Sequence, residues 1–307
     1  MKVRRKNKIN FQIISGLTIV ITFVVIALAA PWLAEPLESD APPSMFKVVG
    51  RRYDPIPKPP NEEAILGTLT GQIDVYYSLI WGTRHALRFG LSVALSTGII
   101  GTLIGAISGY AGGRLNQLLL RFTDGFLAIP VIIGVGIFRQ MVFLAEPSLE
   151  MSVIQRIVGV IGSDYVLLGL IFFSWMPYTR IINANMMKLR QFDYVMAAKS
   201  IGASNARIIF LHMLPNSISP AIVLIARDIG SMVLWGATFV FIGIGGESPW
   251  GELASLGRNF VVGSFGNPFD MWWTYIPVTI VLILFGIGWN LLGDGLNDLI
   301  NPRENYW

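Results

Sequence analysis

YVMAAKSIGASNARIIFLHMLPN, residues 194–216, is a polar and basic island between long apolar runs. Ala197 and Ala198 near its start favour a helix, because alanine gives up no side-chain entropy there. Gly202 in the middle is poor inside a helix but suits a sharp exit in a left-handed conformation. A second short helix can run through Ile208, Ile209 and Leu211, and Pro215 either stops it or starts the next apolar segment. The spacing predicts a helix–turn–helix at a membrane surface, with an apolar side free to be gripped.

The flanks set the surroundings. Hydrophobic residues make up 53% of the chain and charged ones 14%, and the mean hydropathy is +0.59. A soluble domain carries about 25% charged residues. The 307 residues therefore read as one integral membrane domain. The formal charge of +4 matters less than its placement. There is no cysteine, so disulfides and thiolate chemistry are excluded. The two histidines, His85 and His212, are too few and too far apart for a zinc site.

Six apolar segments are expected to span: 11–30, 89–110, 122–144 with a kink at Pro130, 166–182, 218–244 and 271–292. The first is too long for a signal-peptide core and follows Lys2, Arg4, Arg5, Lys6 and Lys8. In the second, Gly101, Gly105 and Gly109 are four apart and share one face, which suits close helix packing, within this chain or against a partner subunit. Residues 31–78 hold too many prolines for a helix and read as an extended outer segment, either a solvated linker or a docking surface. Val153, Ile154, Ile157, Val158 and Ile161 recur at helical spacing and predict a short amphipathic helix within 146–164. Residues 246–270, with Trp250, are expected as an outer loop.

The chain has no phosphate-cradling Gly-rich loop ending in Lys-Ser or Lys-Thr, and no nucleophile–base set. Arg227 and Asp228 fall near mid-membrane, where charges usually face a bundle interior or a watery path. Neighbours on a helix point about 100° apart, so each needs another partner. Two readings stay open: the pair lines a translocation path, or each has a structural partner. Arg139 and Asp124 lie nearer the ends of their span and can snorkel.

Residues 194–216 resemble the EAA loop of bacterial ABC-importer permeases. Ala197, Ala198, Gly202, Leu214 and Pro215 fall in register, while Met196 stands where Glu is usual and His212 at a hydrophobic position. The 212–216 stretch is similar to the dipeptide/oligopeptide branch. So are Leu66, Gly67, Thr68, Asp74, Leu79, Ile80, Gly82, Arg84 and Leu87, although Leu69, Gln72 and Ile73 replace that branch's Asp, Gly and Arg. The Gly109–Gly113 turn followed by Arg121, Asp124 and Pro130 matches as well. The tail from Gly293 through Asp294 to Arg303 resembles that of the branch, with Asn297, Ile300 and Asn301 as departures.

The resemblance implies an all-α integral membrane protein, a type I ABC-importer permease with six transmembrane helices and a cytoplasmic EAA-type coupling loop. It implies the C-type permease subunit, carrying di- or oligopeptides by alternating access, and no enzyme activity on this chain. Nickel, opine or glutathione import are alternatives within the family; a channel, an ion-driven transporter or an intramembrane enzyme lie outside it. Expected partners are a second homologous permease, two cytoplasmic ABC ATPases, an extracytoplasmic substrate-binding protein and the lipid bilayer, with no nucleic acid. No cofactor or metal is expected on this chain, ATP and Mg being held by the ATPases. Tyr194, Met196, Ala197, Ala198, Gly202, Ala203, Arg207, His212, Leu214 and Pro215 would form the coupling loop.

The implied segments are 1–30, tail and first span; 31–78, extracytoplasmic; 79–293, core permease with its loop at 190–215; and 294–307, cytoplasmic tail. In a bacterial inner membrane with both termini cytoplasmic, Arg114, Arg121, Arg180, Lys188, Arg190, Lys199, Arg207, Arg303 and the N-terminal basic cluster lie inside. Lys47, Arg51, Arg52, Lys58, Arg84, Arg88, Arg156 and Arg258 lie outside. The bias agrees with the positive-inside rule.

Overall fold

The structure, a computed structural model, describes residues 11–37, 44–51, 54–145, 164–262 and 267–300. The amphipathic helix expected within 146–164 falls almost wholly outside the described residues, as do the N-terminal basic cluster and Asn301, Pro302 and Arg303.

Helix α1, Phe11–Leu33, is apolar throughout. Its hydroxyls are satisfied internally, Thr18 and Thr22 donating to carbonyls one turn back at 2.7 and 2.8 Å. The described residues that follow are irregular until a short antiparallel hairpin, β1 Thr68–Leu69 with β2 Ile73–Asp74. Gln72 in its turn has φ +59°, a left-handed value that a residue with a Cβ adopts at a cost. This is the position where the resembling family has Gly. The side chain offsets the strain: Gln72 is fully buried, donates from Nε2 to the Ile56 carbonyl at 2.7 Å and accepts from Thr68 Oγ1 at 3.2 Å.

Asp74 then caps helix α2, Val75–Ala111, accepting from the Tyr77 N–H at 3.2 Å. Burial pushes the Asp74 carboxyl above the usual carboxylate range, opposed by that N–H and by Lys47. At 37 residues α2 is ~55 Å long, so the helix that carries the expected second span begins well before position 89. Its N-terminal turns carry Trp81, Arg84, His85 and Arg88.

The expected third span is not a kinked rod. Helices α3, Gly113–Leu127, and α4, Val131–Ala145, meet at 88°. Pro130 has no N–H to continue α3 and disfavours helical geometry at Ile129, so the chain breaks instead of bending. Phe122, Phe126, Phe172, Phe173 and Trp175 pack in the angle. The fourth span is also interrupted: α5, Tyr165–Phe173, gives way at Ser174 and Trp175 to α6, Met176–Leu189, which has Pro177 in its first turn. Asp164 caps α5 through the Val166 and Leu167 N–H groups at 3.0 and 3.3 Å.

After the region of residues 193–217 come α10, Ser219–Phe241, α11, Pro249–Val262, a 3₁₀ segment at Pro268–Thr274 and α12, Ile276–Ile300. The outer loop expected at 246–270 is therefore largely helical. Trp250 is buried in it, donates to the Leu79 carbonyl at 3.2 Å, and stacks edge-on with Phe285. The last helix starts later than position 271 and runs past 293, so the expected tail is helical to Ile300.

The main core joins α1, α2, α5, α10, α11 and α12. Among the described residues, five helical stretches are long and apolar enough to cross a membrane: α1, α2, α5 with α6, α10 and α12. Counting bent α3–α4 as one makes six.

Candidate coupling site

Phe192 opens α7, Asp193–Ser200, from an extended conformation. Val195 and Ala198, three apart, are buried against the core. Tyr194, Met196 and Ala197 face outward, so the two alanines divide: Ala198 anchors and Ala197 stays open. The helix ends where the glycine predicts. Gly202 has φ +80°; its N–H donates to the Lys199 carbonyl at 3.0 Å, and the Ala203 N–H reaches back to Ala198 at 3.1 Å. These are the two bonds of a Schellman ending, and Ala203 packs against the apolar cluster that holds Ala198.

Ser204 restarts the chain, its hydroxyl accepting from the Arg207 N–H. Helix α8, Asn205–Arg207, runs into a π-helical stretch, Ile208–Met213, and then α9, Leu214–Ser217. The Leu214 N–H bonds the Ile209 carbonyl, five residues back. Pro215 lacks the N–H an α-helix would aim at Leu211, and the widened turn makes room for its ring. His212 is half-buried within this turn, Arg207 and Pro215 are exposed and Leu214 is half-buried.

Ile208, Ile209 and Met213 join Val195 and Ala198 in a second apolar cluster with Tyr110 of α2, Ile182 and Met186 of α6 and Ala221 of α10. Polar ties add to it. The Tyr110 hydroxyl donates to Asn205 Oδ1 at 2.6 Å, Lys199 Nζ lies 5.0 Å above the Tyr110 ring, and Arg190 donates to the Ala111 carbonyl. The element is thus fastened to α2, α6 and α10 on one side. On the other it exposes Phe192, Tyr194, Met196, Phe210, Leu211 and, at 85%, Ile201. An open cavity of about 400 Å³ between Met187, Arg190, Gln191 and Met196 adjoins this face.

Behind the element, Gly101, Gly105 and Gly109 lie directly against α6. A Cβ at Gly105 would stand 2.6 Å from the Thr179 carbonyl oxygen, and one at Gly109 would stand 2.7 Å from Met186 Cβ. A Cβ at Gly101 would meet the Trp175 carbonyl. Asn183 of α6, buried, donates to Ser108 Oγ at 2.7 Å and to Asn116 Oδ1 at 2.6 Å, tying α2 and α3 to α6.

The two charges expected near mid-membrane separate. Arg227 pairs with Asp294 of α12, whereas Asp228 accepts from the Tyr178 hydroxyl of α6 at 2.7 Å. Arg180, expected in a cytoplasmic segment, lies inside α6 and binds Asp124 of α3 at 2.7 Å.

Residues 101–306 match the family of binding-protein-dependent transport system inner membrane components. The chain belongs to this family. It is 29% identical to the probable D,D-dipeptide transport system permease protein of Escherichia coli (strain K12), covering 94% of this chain and 87% of the relative. It is 30% identical to a dipeptide transport system permease protein of Alkalihalophilus pseudofirmus, covering 98% and 88%. To the oligopeptide transport system permease protein of Bacillus subtilis (strain 168) it is 25% identical, covering 97% and 87%.

For this inner membrane component, the sequence pattern located the helix–turn–helix but missed its fastenings. The sequence places Tyr110 in the Gly109–Gly113 turn, and a lone tyrosine between glycines at a span's end is its only signal of a further role. Asp294 and Tyr178, the partners of Arg227 and Asp228, are 67 and 50 positions away, beyond the reach of helical spacing.

Proposed function

We propose that this permease is the C-type membrane subunit of an ATP-driven importer and forms half of an alternating-access path for di- and oligopeptides. One observation carries the reading: a Schellman-ended helix fastened by Val195 and Ala198, with Phe192, Tyr194, Met196 and Ile201 exposed beside it. A monomer seldom leaves large apolar side chains clustered at such a tip unless a partner covers them. The partner that fits is an ABC ATPase, and the transport relatives named for dipeptides and oligopeptides support the cargo. A second homologous permease completes the path, a second ATPase completes the motor, and an extracytoplasmic binding protein delivers the peptide. ATP and Mg sit on the ATPases, and both termini of the permease face the cytoplasm of a bacterial cell.

Two measurements test this. Purified from its native membrane, the chain is expected to bring an ATPase with it. The reconstituted complex is expected to take up labelled dipeptide only with binding protein outside the vesicle and ATP on the other side. Uptake driven by an ion gradient without ATP overturns the proposal.

Orientation has its own test, made simple by a cysteine-free sequence. Cysteines placed singly at Ser44 and Ser204 are expected to react with a membrane-impermeant thiol reagent from opposite sides of sealed vesicles. Labelling from one side only for both overturns the topology.

A further inference from the structure

The exposed faces of the spanning helices are not alike. Along α2, Leu95, Ile99, Leu103 and Ile107 recur every fourth residue and are exposed and apolar, as a lipid-facing stripe should be. Along α10, the corresponding stripe alternates exposed Arg227, Leu234 and Phe241 with half-buried Ser231 and Thr238. It includes an ion pair, Arg227 with Asp294, whose side chains are 45% and 37% exposed. Arg227 lies ~12 Å along α10, and Asp294 ~9 Å from the end of α12, just beyond that helix's long apolar run. An exposed ion pair built into two spanning helices is better matched to water than to lipid.

The pair is built, not incidental. Gly293 precedes Asp294, and a Cβ there would stand 2.5 Å from Arg227 Cγ. The missing side chain lets the Arg227 stem lie across α12 and bring its guanidinium to the carboxylate. On the next face, a Cβ at Gly295 would strike Ile13 of α1. The Gly-Asp-Gly run of the tail therefore clamps α12 between α1 and α10 with its one charge turned to Arg227. A guanidinium has five N–H donors, and Asp294 receives one of them among the described residues. Those left over need water or an anionic visitor. Asp228 takes no part in this face, because Tyr178 holds it toward α6.

We propose that the α10–α12 face around Arg227 and Asp294 is the water-lined wall this subunit contributes to the translocation path, and that Arg227, positioned by Asp294 across Gly293, receives the carboxylate of a passing peptide. The proposal rests on the transport reading above. Ser231 and Thr238 line the same wall with hydroxyls that already donate to the Arg227 and Leu234 carbonyls at 3.3 and 2.7 Å, so they present only acceptor lone pairs to what passes.

The test reads the wall without a substrate. In the assembled complex in membranes, Ser231→Cys and Thr238→Cys are expected to react with a sulfonate-bearing and a trimethylammonium-bearing methanethiosulfonate, whereas Ile99→Cys and Leu103→Cys are not. At Ser231→Cys, the anionic-to-cationic rate ratio is expected to fall about fivefold with Arg227→Gln and to rise by a similar factor with Asp294→Asn, as unit charges within a turn of the site require. If Arg227→Gln does not accumulate, the rise with Asp294→Asn carries the charge test alone. No reaction at Ser231→Cys or Thr238→Cys, both without nucleotide and in the vanadate-trapped state, overturns the wall and makes the face a seam between subunits. Reaction with a ratio unmoved by either charge substitution overturns the role of Arg227. Because no peptide is used, a failure here is separate from a failure of peptide uptake in the unaltered complex.

Discussion

Gly202→Val is expected to reduce peptide uptake about tenfold or more while the amount of chain inserted in the membrane stays unchanged. Nothing lies within 4 Å of a Cβ built at Gly202, so the penalty is not a clash. It is conformational: φ of +80° is open to glycine and costs a β-branched residue about 1–3 kcal/mol. That strain is relieved only by unwinding the turn, which breaks the Ala203-to-Ala198 and Gly202-to-Lys199 bonds and swings the second limb away from the first. The buried anchors Val195, Ile208 and Met213 remain apolar, so insertion persists. Gly202→Asn, which tolerates the left-handed region, is expected to keep most activity. Uptake and ATPase stimulation, measured beside membrane-inserted protein, decide the matter. Normal uptake by Gly202→Val removes the turn from the coupling mechanism.

Gly105→Val is expected to act earlier, cutting the yield of folded protein about tenfold or more. The added Cβ alone stands 2.6 Å from the Thr179 carbonyl oxygen and 3.0 Å from Ile182 Cβ. Neither can swing away, since one is backbone and the other is attached to it. The helices must part. Overpacking of this kind costs about 1–3 kcal/mol. Parting also pulls Asn183 from Ser108 and Asn116, leaving buried polar groups unpaired at about 1–3 kcal/mol more. Against a typical total of about 5–15 kcal/mol, that is a large share. Ile107→Val on the exposed face of the same helix is the control and is expected to accumulate normally. Detergent-extracted yield and monodispersity on size exclusion read the outcome; a monodisperse Gly105→Val complex at normal yield disproves the tight α2–α6 seam.

What could be read in advance divides by the range of the interaction. Gly202 and the alanine pair announced their geometry because a Schellman ending is a local event over six residues. The small-residue face of α2 was visible as a period. Pro130 marked where the backbone bond ladder fails, but the 88° angle depends on Phe126 packing against Phe172 and Phe173, residues far along the chain. The cap that Asp74 forms on α2 goes unread in the sequence, because the surrounding prolines mark the stretch as extended. The aromatic run at 271–275 read as a span by hydropathy alone, yet it forms the end of a 3₁₀ segment because Pro268 and the Asn267 cap set a tighter turn. The partners of Arg227, Asp228 and Tyr110 required the third dimension.

The π turn at Ile208–Met213 sets an angular phase. An α-helix advances about 100° per residue, so one residue accommodated in a wide turn rotates everything after it by that amount relative to everything before. The exposed Tyr194 and Met196 of α7, with Ile201 after them, lie upstream of the turn, Phe210 and Leu211 lie within it, and the Arg227 stripe lies downstream on α10. Their relative azimuth is therefore fixed by a single residue's worth of backbone next to Pro215. Removing one residue between 208 and 213 would leave every side chain of α10 in place in the sequence while turning a different face of that helix toward the proposed path.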